Sequence, residues 1–184
     1  MDSKNTSDQS RANSTKTELT QGKEEKKKRE QLSTIVVVVI TSFLAPFIGS
    51  AMNLSVPAIG REFNVSAALV GWIITGYLIA AAVLSVPFGR VADLTGRKRI
   101  LVIGLLGFTI CTGAIVFAHS LMVLMVLRIL QGVAAAMLFS TNVAVLISAF
   151  HPDKRGKVLG YSTASVYIGL SAGPVLGGIL NHYL

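Results

Sequence analysis

The chain has 184 residues, of which 52% are hydrophobic and only 14% charged, and its mean hydropathy is +0.62. That composition excludes an ordinary soluble domain and points to a membrane protein. A net charge of +8 would suit a nucleic-acid binder, but the placement of the basic residues reads as membrane topology, so no nucleic acid is expected as a partner.

Residues 1–32 carry few apolar side chains and many Ser, Thr, Asn, Gln and Lys. They are expected to form a disordered, polar and basic cytoplasmic tail. Its "KEEKKKRE" run reads as an orientation signal; a hold on anionic lipid is the weaker reading, because three glutamates dilute the charge. A transmembrane domain is expected over residues 33–184, with spans at about 33–56, 69–88, 100–118, 121–150 and 158–180. Each is near or above the ~20 helical residues that cross a ~30 Å hydrocarbon core. None alternates as a barrel strand does, so the fold class is all-α, a polytopic membrane protein of five transmembrane helices in a lipid bilayer. The first run is too long, and lacks the small-residue cleavage pattern, to be a secretory signal.

All but two of the 17 basic residues fall in the tail, in the loop after span two or in the loop after span four. The exceptions are Arg61, on the opposite side, and Arg128, inside span four. This asymmetry predicts a multi-pass protein of the cell membrane with a cytoplasmic N-terminus. Cys111 is the single cysteine, and His119, His151 and His182 fall at three different membrane edges, so no metal site and no catalytic set is expected. With no phosphate-cradling motif either, nothing argues for an enzyme or for a bound cofactor.

The loop "GRVADLTGRKR", residues 89–99, is short and dense in charge. Gly89 would let the end of span two approach a neighbour closely, and Asp93 lies one helical turn on. Gly96 suits a reversal that needs positive φ, and Arg97 and Lys98 begin the next span with positive charge. On bare physics this is a tight loop obeying the charge asymmetry. Its spacing resembles the G-x-x-x-D-x-x-G-R-K/R signature of the major facilitator superfamily, in the loop between spans two and three. "LRILQGVAAA", with Arg128, Gln131 and Gly132, resembles that family's span-four motif. "GLSAGPVLGG", with Gly169, Gly173, Pro174, Gly177 and Gly178, resembles the span-five motif of its antiporters.

Together these motifs resemble the drug–proton antiporter group, in its fourteen-span branch. The resemblance implies spans one to five of an N-terminal half, exporting a small-molecule drug substrate with the proton as coupling ion. Span one keeps a remnant of the branch's pattern in Asn53 and Pro57, but Ile48 stands where the branch has aspartate. All nine acidic residues lie outside the five runs. The resemblance further implies that the span-five Gly–Pro segment packs against span eight of the other half and limits leakage.

Arg128 sits about a third of the way across the bilayer if span four enters near Leu121, by the ~1.5 Å rise per residue. Snorkelling to the outer headgroups is open to it from there. The resemblance instead implies that it faces a central cavity and acts in coupling or in recognising substrate charge. Gln131 and Gly132 stand on its own helix face. Gly132, Ala136, Ser140, Ala144 and Ser148 recur every four residues, a stripe suited to helix packing in lipid. Ser165, Gly169, Gly173 and Gly177 form another in span five, where Pro174 frees the carbonyl of Leu170 and predicts a kink. The sequence stops after span five, so a truncated N-terminal portion that does not transport alone is expected, able to associate with a complementary C-terminal half. The alternatives are a short non-transporting membrane protein that associates with or regulates a full transporter, and a five-span homodimeric exporter.

Overall fold

The computed structural model describes residues 3–183, with side chains described outside 3–20, 54–56, 67 and 180–183. Five helices account for them: α1 Ser3–Glu62, α2 Ala67–Thr95, α3 Arg97–Ile115, α4 Leu121–Ala149 and α5 Pro152–Tyr183. Among the described residues there is no strand. The connections are of one to five residues, which leaves successive helices antiparallel. Gly96 alone turns α2 into α3, at φ 107°, so the expectation of positive φ at this glycine holds. Asn64, at φ 51°, turns α1 toward α2. Ser120 caps α4 by accepting the amide of Val123 at 3.3 Å.

The outer surface explains why these sequences need lipid. Val86, Leu94, Val116, Phe117 and Met122 are largely exposed, where a water-soluble bundle would hide such side chains or gather them into one binding patch. The chain is an all-α polytopic membrane protein. Four of its helices, α1 to α4, are both long and apolar enough to cross a bilayer. α5 is long enough at 32 residues, but Ser, Thr, Gly and Tyr between Gly160 and Ser171 dilute its hydropathy. The expectation of a fifth span rests on its length and on its packing along α1.

From Ser3 onward the residues expected to form a disordered tail belong to α1. Residues 23–31 are mostly Lys, Glu, Arg and Gln, all good helix formers. Glu24–Lys28 and Glu25–Arg29 have the favourable i,i+4 order. Gln31 also ties this stretch to the bundle: its Nε2 donates to the carbonyl of Ala149 at 2.9 Å, one of the carbonyls orphaned at the end of α4.

Two kinds of interface hold the bundle together. α5 lies along α1, while α2 and α3 both pack on α4. At each, glycine brings backbones close. A Cβ on Gly132 would sit 2.5 Å from the Tyr77 carbonyl oxygen of α2, and one on Gly104 of α3 would sit 2.8 Å from Met137 Cβ. On α5, Gly169 faces the Phe43 carbonyl, Gly173 the Phe47 carbonyl and Gly177 the backbone of Ala51. Where α1, α4 and α5 meet, a buried polar tie joins them. Thr41 Oγ1 donates to Asn142 Oδ1 at 2.8 Å, Asn142 Nδ2 donates to Ser42 Oγ at 3.4 Å, and the Ser42 and Ser162 hydroxyls lie 2.8 Å apart.

Candidate functional site

Span four carries its charge inward. Arg128 is only 3% exposed, and its Nη1 donates to Gln131 Oε1, three residues further along α4, at 2.9 Å. A snorkelling arginine keeps its head in water at the interface, whereas this side chain is buried. Gln131 is fully buried and its Nε2 donates to Thr112 Oγ1 of α3 at 2.7 Å. The Thr112 hydroxyl in turn donates to the Phe108 carbonyl at 2.6 Å. A polar chain thus runs from α4 to α3 and fixes the side of Arg128 that faces the protein. Tyr77 of α2 covers the guanidinium, with Cζ 5.6 Å from the ring centroid, a cation–π contact in a desolvated setting. Gly132 makes that contact available, because only a missing side chain lets α2 come this close. Arg128 Nε has no partner among the described residues.

The arginine borders a cavity of about 390 Å³ between α1, α2, α4 and α5, with Ser50, Asn53, Tyr77, Phe139 and Leu170 among its walls. Asn53 of the span-one remnant therefore shares a cavity with Arg128, while Pro57 is exposed and outside it. Ile48 is half-buried against the hydrophobic core and is not among the described wall residues. Among the described lining residues Arg128 is the single charged group.

The motif loop makes its own cluster. Arg97 Nε lies 2.9 Å from Asp93 Oδ1, one helical turn away, and Arg97 Nη1 donates to the Ala144 carbonyl of α4 at 3.3 Å. The loop between α2 and α3 is thereby latched to α4, at the far end of α4 from Arg128. Lys98 is exposed beside them. Gly89 differs from expectation: a Cβ there would meet Ser140 Cβ at 3.9 Å, ordinary contact, so this position does not demand glycine for space.

In α5 the glycine face is taken by α1, whereas Pro174, Val175 and Leu176 are exposed and Gly178 is half-buried. The resemblance implied packing of this segment on span eight; what α1 leaves open is the proline side. α5 stays helical through Pro174, and the carbonyl this proline frees, that of Leu170, accepts Ser50 Oγ at 2.9 Å. The α4 stripe packs most tightly at Gly132 and Ala136 and opens toward an exposed Ser148. Tyr77 and Thr112 escaped the sequence reading because they reach Arg128 and Gln131 only through tertiary packing.

Residues 38–184 match the family model described as Major Facilitator Superfamily. The chain is 32% identical over 142 residues to the riboflavin transporter RibZ of Clostridioides difficile (strain 630), covering 77% of this chain and 31% of that protein. It is 33% identical to the tetracenomycin C resistance and export protein of Streptomyces glaucescens, over 67% of this chain and 23% of the relative. It is 36% identical to the puromycin resistance protein pur8 of Streptomyces alboniger, over 74% and 27%. The chain thus spans about a quarter to a third of the length of these relatives.

Proposed function

The chain belongs to the Major Facilitator Superfamily, and from that membership we propose that it supplies the first five spans of a small-molecule exporter of the drug–proton antiporter kind. The observation that carries this reading is Arg128, a buried guanidinium held by Gln131 and Tyr77 at the wall of a cavity. Ionisable side chains inside a membrane are costly, and they mark solute or ion pathways. The resistance and export proteins among the relatives support efflux as the direction. The activity is movement of a solute across the bilayer, with no bond made or broken.

In this reading α1 and α4 border the substrate path. The close α1–α5 and α2–α4 packing makes the five helices one rigid body, which rocks against a complementary C-terminal half. The Asp93–Arg97–Ala144 latch lies at the cytoplasmic edge, where it holds the motif loop to α4 in one of the two states. The proton is the coupling ion. Its carrier is a carboxylate of the complementary half, since the cavity wall described here offers a fixed positive charge. The N-terminus is cytoplasmic and the protein sits in the cell membrane, in keeping with the one-sided basic loops.

The test is transport into everted membrane vesicles containing this chain joined to the C-terminal region of a matched relative. Dye or antibiotic uptake that follows an imposed proton gradient, and is lost with an uncoupler, is the expected result. Uptake no greater than in vesicles without the protein, or uptake indifferent to the uncoupler, contradicts the reading.

A further inference from the structure

The charge of the cavity carries a conclusion about what enters it. Arg128 is 97% buried by the complement of its 3% exposure, yet it makes no ion pair among the described residues. Its neighbours share the charge without cancelling it. Gln131 accepts one guanidinium hydrogen bond, and Tyr77 offers a ring face. Nε has no acceptor among the described residues. A guanidinium so placed is under-compensated, because a buried charge needs an opposite charge or a full set of hydrogen bonds. The rest of the wall is apolar or neutral: Ser50, Asn53, Met52, Phe139 and Leu170. Ile48 of α1, half-buried against the core, adds nothing to the described wall.

A cation entering this cavity meets a like charge in a low-dielectric surrounding, where repulsion is strong. An anion, or a ligand with a phenolate oxygen, supplies the opposite charge that the wall does not offer. Tyr77 and Phe139 offer aromatic surface for a flat ring system. We propose that this cavity selects organic anions with an aromatic body over cations of the same size, with Arg128 as the charge-selecting residue and Tyr77 as its positioning residue. The inference rests on the transport reading above for the cavity's role, and it adds the charge class of the ligand.

Fluorescein and rhodamine 123 share a xanthene ring system and differ in charge, so they serve as probes. The chain, in neutral phosphatidylcholine nanodiscs, carries Cys111→Ser and a reporter thiol from Leu78→Cys, an exposed position on the cavity wall. Protection of that thiol from maleimide reports occupancy, and dye partitioned into lipid does not count as binding. The expected result is half-protection by fluorescein at a concentration at least tenfold below that of rhodamine 123. Arg128→Gln should erase that preference and Arg128→Lys should keep its sign, with size-exclusion profiles confirming folded protein. Equal protection by the two dyes, or a fluorescein preference that survives Arg128→Gln, overturns the anion selectivity and leaves the cavity reading standing. No protection by either dye removes both. Protection by sodium chloride as complete as by fluorescein shows a site for small inorganic anions and overturns the aromatic class.

Discussion

Arg128 shows how one residue becomes functional through the neighbours that constrain it. Its bond to Gln131 was legible in the sequence, because residues three apart share a helix face. Thr112 and Tyr77 were not, since each lies on another helix and no spacing rule relates them to residue 128. Their weights separate by substitution. Thr112→Val removes the acceptor for Gln131 Nε2 and should lower the melting temperature modestly. Interhelical hydrogen bonds in membranes average about 0.6 kcal/mol and reach about 1.7. The same change should weaken ligand protection at the cavity by loosening the arginine. Tyr77→Phe keeps the ring face and should leave protection near its starting level, whereas Tyr77→Leu should reduce it several-fold. Thermal unfolding in detergent and the thiol-protection assay read both effects. Equal behaviour of Tyr77→Phe and Tyr77→Leu would mean that the ring face contributes nothing.

At the scale of helices, glycine placement decides which surfaces meet. Gly132→Ala drives a methyl against the Tyr77 carbonyl at 2.5 Å, and Gly173→Ala drives one against the Phe47 carbonyl at 2.7 Å. Backbone cannot step aside as a side chain can, so each should destabilise by about 1–3 kcal/mol, the usual cost of overpacking. Gly113→Ala meets nothing within 4 Å and should be neutral or slightly stabilising, because alanine is the better helix former by about 1 kcal/mol. A melting series over these three variants checks the order; Gly113→Ala as damaging as the other two would contradict the packing account. The small-residue stripes were legible from their four-residue period, but their partners were not. The glycine face of α5 serves α1, while Pro174 stays on the exposed side. Helix ends were least legible. α2 continues past Phe88 to Thr95, because one glycine suffices for the reversal and the charged residues before it remain good enough helix formers. Gly104, which brings α3 onto α4, gave no sequence signal beyond being a glycine in an apolar run.

For the whole molecule, the two large interfaces follow one plan. α5 lies on α1 and α2 lies on α4, each through glycine or other small residues, as an inverted repeat relating spans one to three with spans four to six would require. Antiparallel helices with basic loops on one side predict a definite labelling pattern. In intact cells an impermeant thiol reagent should reach Asn64→Cys, in the turn between α1 and α2, and should not reach Asp153→Cys, at the start of α5; the reverse pattern would invert the topology. The central claim is that Arg128 acts in the transport path. Its most direct test is transport by Arg128→Leu and Arg128→Lys variants of this chain joined to a complementary C-terminal region. Arg128→Leu removes about 2.5–3.5 kcal/mol of membrane-insertion cost, so the protein should accumulate at least as well while transport is lost. Arg128→Lys should retain only part of the activity, because it keeps the charge without the planar fork that engages Gln131 and Tyr77. Transport by both variants at the level of the unsubstituted protein would contradict the account.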